Sequence, residues 1–162
     1  MTIEQSNAPA AARTVTIHAA ATKIAAAHSG VAITGKLAHA TPGTAPVVPG
    51  RREFFKYQDL LVGDATDGKM RAQVMSASRG MSKPTGWHYH VCESQFIYGL
   101  KGWVDLEFED GRKIRLNAGE SLLIPGGMKH NETATSDDFQ ILEVVTPGEI
   151  GTVPCDQPEI RG

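Results

Sequence analysis

The chain contains 162 residues, 41% hydrophobic and 21% charged, and this size and balance predict one folded domain with room for a sizeable core. Sixteen basic and 18 acidic residues give a formal net charge of −2, which argues against nucleic-acid binding through phosphate contacts. No apolar run approaches the roughly 20 residues of a membrane span, and the first thirty residues lack the apolar segment of a secretory signal. With only two cysteines, the chain is expected to be a cytoplasmic protein that does not contact a membrane.

Residues 1–50 are rich in alanine and end in a proline-rich stretch. Such a segment lacks the large side chains that build a core, so we interpret it as an N-terminal arm in front of a folded domain at residues 51–162. Within the arm, residues 15–17 could form a short strand and residues 19–27 a few helical turns. The arm is either mobile or ordered by lying on a partner subunit.

The rest of the chain alternates short apolar segments with glycine- and proline-containing turns. This pattern predicts eight strands, at Met70–Ala77, Thr85–Cys92, Gln95–Leu100, Trp103–Glu109, Arg112–Leu116, Ser121–Ile124, Lys129–Thr135 and Phe139–Thr146. Short strands without a convincing helical period are typical of an antiparallel sandwich or barrel.

The clearest of these strands is Trp103–Glu109, in which apolar side chains alternate with acidic ones. A period of two is the mark of a strand with one buried face. The dipeptide Asp110-Gly111 follows at once, and this is a strong signal for a tight hairpin turn into the strand Arg112–Leu116.

Two histidines, His88 and His90, stand two positions apart on a predicted strand. Side chains at this spacing project to the same face of a strand, so both imidazoles can reach one point in space. A rigid pair of this kind suits a metal site, although the pair alone is a weak signal.

A second segment strengthens the case, because it runs from Gly119 through Pro125 and Gly127 to His130. Together with the histidine pair, it resembles the two signature motifs of the cupin superfamily, the small metal-binding β-barrels, and in particular the single-domain cupins. In the second motif, Ala134 stands where the family often has asparagine. The resemblance implies an all-β fold, a cupin-type antiparallel β-barrel or jelly roll, behind the Ala/Pro-rich arm.

The resemblance also implies that His88, His90 and His130 bind one divalent metal ion, Fe, Mn, Ni or Zn, inside the barrel. Gln95 stands where the family pattern has glutamate, and its amide oxygen can serve as the fourth ligand. Alternatively, Gln95 only donates a hydrogen bond behind the ligands, or Glu93 swings in from the neighbouring turn. With Gln95 as ligand there is no compensating negative charge at the metal, so we expect Gln95→Glu to tighten metal retention.

Three histidines leave coordination positions open, which is the pattern of a catalytic metal site. The sequence therefore predicts a metal-dependent small-molecule enzyme, either an O₂-using dioxygenase or a Lewis-acid isomerase or cyclase, acting on a small enolate or aromatic substrate. The alternative is a non-catalytic cupin that binds or senses a small ligand. We also expect a homodimer, because Phe96, Tyr98 and Leu100 have the opposite parity to Gln95 and Ile97 and should face outward.

Overall fold

The structure is a computed structural model that describes residues 35–49, 54–81 and 83–159. Within these ranges the chain forms one short helix, α1 (Val62–Ala65), and the following strands: β1 (Val47–Pro49), β2 (Phe55–Asp59), β3 (Arg71–Ala77), β4 (His88–Val91), β5 (Ser94–Lys101), β6 (Trp103–Phe108), β7 (Lys113–Asn117), β8 (Ser121–Pro125), β9 (His130–Thr135), β10 (Gln140–Thr146) and β11 (Gly151–Pro154). In the described ranges no helix is both long and apolar enough to cross a membrane. The strand and helix expected within residues 15–27 lie outside the described residues.

The strands form two antiparallel sheets. One sheet has six strands in the order β1-β2-β3-β10-β5-β8, and the other has five in the order β11-β4-β9-β6-β7. All eight strands expected from the sequence are present, with ends that shift by a few residues at most. The prediction of an antiparallel β-barrel of the jelly-roll type is confirmed.

Three further strands and the helix α1 did not stand out in the sequence. The strand β1 is only three residues long and ends in a proline, and it pairs with β2 although it belongs to the segment interpreted as an arm. The strand β11 also ends in proline, and α1 has four residues, too few to show a helical period. The sequence indicated no helix in this domain, but the described residues include the four-residue helix α1.

The alternation of β6 shows how the sequence builds the core. Val104, Leu106 and Phe108 are 2 to 3% exposed and point between the sheets, whereas the acidic residues between them point outward. The hairpin that follows turns at Gly111, whose φ of 85° lies in the left-handed region that favours glycine. The core contains Phe55, Ile97, Val104, Leu106, Phe108, Leu116, Ile124, Phe139 and Ile141.

Candidate metal centre

The strands β4 and β9 bring the three predicted histidines together. His88 and His90 project from the same face of β4, and His130, the first residue of β9, pairs directly opposite His88. The imidazole centroids of His88 and His130 are 4.4 Å apart, and His90 lies 5.1 Å from each of the other two rings. One nitrogen from each ring lies within 4.8 Å of the others, which is a geometry that can hold one metal ion.

Backbone contacts fix the tautomers of two of these rings. The Nδ1 atom of His88 lies 2.8 Å from the carbonyl oxygen of Gly86, and that of His130 lies 2.9 Å from the carbonyl oxygen of Met128. Because a carbonyl only accepts, each Nδ1 carries the hydrogen and each Nε2 keeps its lone pair. The Nε2 of His130 is buried and has no hydrogen-bond partner among the residues that the structure describes, and burial lowers the pKa of this ring, which favours its neutral form.

The third ring is held by the edge strand. The Nδ1 atom of His90 lies 2.9 Å from the hydroxyl oxygen of Thr152 on β11, which pairs with β4. A hydrogen bond at one ring nitrogen orients the ring, as is usual for histidines that bind metals. All three imidazoles are therefore oriented by contacts with the protein.

Gln95 lies on β5 and is buried in the wall of the same cavity as the histidines. Its Nε2 atom lies 2.6 Å from the Oε1 atom of Glu143, and its own Oε1 atom is buried with no hydrogen-bond partner in the described ranges. Glu93 is exposed in the turn between β4 and β5 and does not line the cavity. Of the two residues weighed for the fourth ligand, the structure places Gln95 at the cavity and Glu93 away from it.

Two carboxylates that the sequence analysis did not anticipate also line this cavity. The Oε2 atom of Glu132 lies 3.8 Å from Nε2 of His88, and the hydroxyl of Thr85 donates a hydrogen bond to the same oxygen. Glu143 accepts hydrogen bonds from the side-chain amides of Gln95 and Gln73. The three imidazoles and the Gln95 amide carry no negative charge themselves, but two carboxylates lie close to them, Glu132 beside His88 and Glu143 beside Gln95.

The environment of Glu132 has opposing effects on its acidity. Burial raises its pKa, but the positive charge that His88 and then His130 carry when protonated, followed by the hydrogen bond from Thr85, lowers it by more, so the pKa of Glu132 lies below its ordinary value in the absence of a metal. The carboxylate form is therefore favoured in a cavity that also contains metal-binding nitrogens.

A sequence signal for both carboxylates exists. Glu143 stands between Ile141 and Val145 at the buried parity of β10, where an acidic residue is out of place unless it is paired or functional. Glu132 follows His130 by two positions, so it shares the strand face of a predicted ligand. In each case, parity on a predicted strand indicates that the carboxylate points inward.

The cavity has a volume of about 330 Å³, near the lower end of the range for ligand-binding pockets. Its lining combines the polar cluster with apolar and aromatic side chains, among them Phe55, Met75, Trp87, Ile97, Phe139 and Ile141. No lysine or arginine of the described residues lines it. The cavity can therefore accept a small, largely apolar molecule beside a metal ion.

Cys92 follows His90 by two residues, directly after β4, and is partly buried. Burial, and after it the carboxylate of Glu143, raises the pKa of this thiol. The thiol form is thereby favoured over the nucleophilic thiolate.

The donor set fits a divalent transition metal. Three imidazole nitrogens and one amide oxygen are ligands that suit Fe, Mn, Ni or Zn, and the unpartnered Nε2 of His130 and Oε1 of Gln95 are the lone pairs that such an ion would use. Two backbone carbonyls, the Thr152 hydroxyl and the Glu143 carboxylate provide the outer hydrogen bonds usual at metal centres.

Fold and site define a β-barrel with a cluster of three histidines in its interior that can hold a metal ion. Residues 78–149 match the family described as the cupin domain. This segment, which contains all three histidines, is therefore similar to the cupin domain.

Several solved structures share this fold. The polyketide cyclase RemF from Streptomyces resistomycificus matches with a TM-score of 0.58 and 19% identity over 75% of this chain and 89% of that one. The Fe(II) protein HppE matches with a TM-score of 0.54 and 18% identity over 72% of this chain and 63% of that one. Oxalate decarboxylase from Bacillus subtilis matches with a TM-score of 0.55 and 16% identity over 77% of this chain and 33% of that one. No curated protein matches the sequence significantly.

Proposed function

We propose that this chain is a metal-dependent enzyme that moves a proton on a small, largely apolar substrate bearing an enolate or phenol-type oxygen, as in an isomerisation or a cyclisation. The observation that carries the proposal is the convergence of three imidazoles in the wall of a cavity that Gln95 also lines. Three or four protein ligands leave room in the coordination shell for a substrate oxygen. The chain's structural relatives include a polyketide cyclase.

The lining of the cavity supports this class of substrate. Two carboxylates, Glu132 and Glu143, line it, and no described lysine or arginine does. A phosphorylated or dicarboxylate molecule would therefore meet like charge rather than a cationic clamp. A molecule with one acidic oxygen and an apolar body would instead find a metal for the oxygen and side chains such as Trp87 and Phe139 for the body.

The protein side of the reaction is centred on Glu132. A bound divalent metal supplies a Lewis acid that stabilises negative charge on the substrate oxygen. Glu132 lies beside His88, and its Oε2 atom is the group that would accept a proton from the substrate carbon adjacent to the one that bears that oxygen, and return it to the substrate or to water. The Thr85 hydroxyl donates to the same carboxylate and fixes its direction.

The first test measures the metal. Elemental analysis of the purified protein is expected to find one divalent ion per chain in the wild type and a loss of it in His130→Ala, with an unchanged far-UV circular dichroism spectrum. His39→Ala is the matched control, because His39 is exposed and does not line the cavity. Wild-type protein that folds but retains no ion when refolded with each candidate metal would contradict the proposal.

The second test measures the chemistry with phenylpyruvate, an enolisable aromatic probe, in D₂O. The metal-loaded protein is expected to catalyse exchange of the C3 protons, and Glu132→Gln is expected to slow this by about 100-fold or more while keeping its metal. Substrate-dependent O₂ uptake without exchange would replace the proposal with a dioxygenase. Saturable binding without either reaction would replace it with a ligand-binding protein.

A further inference from the structure

We propose that Glu143 is a positioning residue that turns the amide oxygen of Gln95 toward the metal and supplies, from behind Gln95, the negative charge that the ligand set lacks. The inference rests on the proposed metal site. It assigns a role to a buried acidic residue that the proposed proton transfer does not use.

The position of Glu143 follows from the strand register. The strand β10 lies between β3 and β5, and Glu143 is opposite Gln73 on the first and Ile97 on the second. Gln95 is two residues before Ile97, so its side chain lies on the same inner face. The carboxylate of Glu143 is only 8% exposed and sits between two side-chain amides.

The hydrogen bonds determine which way the Gln95 amide points. The Oε1 atom of Glu143 accepts from Nε2 of Gln95 at 2.6 Å, and its Oε2 atom accepts from Nε2 of Gln73. Because an ionised carboxylate only accepts, Gln95 must present its nitrogen to Glu143 and its oxygen away from it. That oxygen is buried and has no hydrogen-bond donor in the described structure. A buried acceptor without a donor is unfavourable, and binding a cation would satisfy it.

The charge balance points the same way. Among the residues that the structure describes, the ion pairs do not include Glu143, so its buried charge has two amide donors and no cationic side chain. A buried carboxylate of this kind is costly unless an opposite charge lies nearby. A dication on the far side of Gln95 would supply that charge, and the amide between them would be polarised by both.

Glu143 also changes what is expected of Gln95→Glu. Taken from the sequence alone, this substitution should tighten metal retention by adding a negative charge. In the structure it would place a second carboxylate at hydrogen-bond distance from Glu143, and the repulsion between like charges would destabilise the metal-free protein. Exchanging both residues, as Gln95→Glu with Glu143→Gln, would instead restore a hydrogen-bonded pair with the original total charge.

The test compares the Zn²⁺ dissociation constants of the wild type, Glu143→Gln and the double variant by chelator competition at one pH. Glu143→Gln is expected to weaken binding by about 10- to 100-fold, and the double variant is expected to bind at least as tightly as the wild type. Glu107→Gln is the matched control, because it removes the same charge on the outer face of β6, and it should change the constant by less than about twofold.

A spectroscopic readout separates positioning from a merely structural role. The visible absorption of bound Co²⁺ reports its donor atoms, so it should change in Glu143→Gln, where the Gln95 amide is free to turn, and stay unchanged in Glu107→Gln. Wild-type affinity in Glu143→Gln would overturn the inference. It would also be overturned by a double variant that binds no better than Glu143→Gln.

Melting of the metal-free proteins keeps the inference testable if Glu143→Gln does not fold. Gln95→Glu alone is expected to melt at a lower temperature than the wild type, and adding Glu143→Gln is expected to recover the loss. Equal melting temperatures for these two variants would contradict the contact between Gln95 and Glu143. A wild type that binds no metal would instead defeat the proposed function, and the melting comparison would still test the contact by itself.

Discussion

The outer faces of the two sheets differ in chemistry although their strands alternate in the same way. The strand β7 is the edge of the five-stranded sheet and β6 is its neighbour, and their outward side chains form a charged face. Asp105 is ion-paired with Arg115, and Glu107 with Lys113, each pair at 2.7 Å. The charged face therefore satisfies its own polar groups and is suited to water.

The corresponding strands of the six-stranded sheet, β5 and its edge neighbour β8, form an apolar face. Phe96, Tyr98, Leu100 and Leu123 point outward there and are 37 to 60% exposed. Phe96 and Leu123 are directly opposite each other in the register, so the apolar side chains are contiguous. In both sheets the inward-facing side chains of each strand build the core and so determine the fold. The outward-facing side chains determine whether the sheet surface is suited to water or to another apolar surface.

The apolar face is the basis for expecting a homodimer. Contiguous apolar side chains on a sheet surface usually mark a contact with another molecule, and a patch without charge can pair with its own copy across a twofold axis. The edge strand β8 also has one side that no described strand covers. Self-association through this face remains a prediction.

The largest expected effect comes from charging the apolar face. The double substitution Phe96→Glu with Leu123→Glu would set like charges against each other in a symmetric pair, so association should weaken by about a thousand-fold. Sedimentation velocity at micromolar concentration measures this, and metal content should not change because both side chains face away from the cavity. Lys113→Glu on the charged face is the control and should leave association intact. A monomeric wild type would remove the basis for the comparison.

A smaller effect is expected on the free energy of unfolding, where an inward-facing and an outward-facing residue of β6 can be compared. Leu106→Ala removes a side chain that is 3% exposed in the core, and the free energy of unfolding should fall by about 3 kcal/mol. The adjacent substitution Glu107→Ala, on the charged face, should change it by less than about 0.5 kcal/mol. Urea denaturation measures both. Similar losses in the two variants would mean that the charged face stabilises the fold.

The smallest effect concerns the acidity of Asp105. Hydrogen bonds from Arg115, partly opposed by burial, lower the pKa of Asp105. A carboxyl group whose pKa is lower in the folded state stabilises the protein above its unfolded pKa, and this contribution is lost as the pH falls through the folded value. The difference in melting temperature between the wild type and Asp105→Asn should therefore be present near neutral pH and shrink below about pH 4. A difference that is the same at both pH values would contradict this origin.

Local patterns were enough to predict much of the fold. The strand β6 was clear because its alternation is strict, and Asp110-Gly111 fixed the turn after it. The strands β1 and β11 were not evident because each is short, ends in proline and owes its place to pairing with β2 or β4 rather than to its own pattern. Local sequence patterns do not indicate which strands pair when the partners are far apart in the chain.

In the candidate site, too, the residues indicated by local spacing were predicted, whereas those that depend on strand pairing were not. His88 and His90 share a strand face by their spacing alone, and the motif around His130 indicated that it joins them. The roles of Glu132 and Glu143 depend on the register between strands, which determines that one lies beside His88 and the other behind Gln95. The sequence therefore predicted the imidazoles and missed the carboxylates that supply the charge.

The turn after β8 is fastened to the turn after β4. The backbone N–H of Gly126 donates to the carbonyl of Glu93 at 3.0 Å, and that of Gly127 donates to the carbonyl of His90 at 2.9 Å. A side chain on Gly126 would collide with the carbonyl group of Cys92, so only glycine fits this approach.

This fastening determines where the chain can change in length. One residue inserted between Gly127 and His130 would shift the register of β9 and turn His130 to the opposite face of its strand. At the β6–β7 hairpin, by contrast, Asp110 is exposed in the tight turn, and neither β6 nor β7 carries a candidate metal ligand. Extra residues there would extend the loop into solvent. Insertions and deletions should therefore be tolerated at the Asp110 end of the barrel and excluded from the few residues that lead into His130.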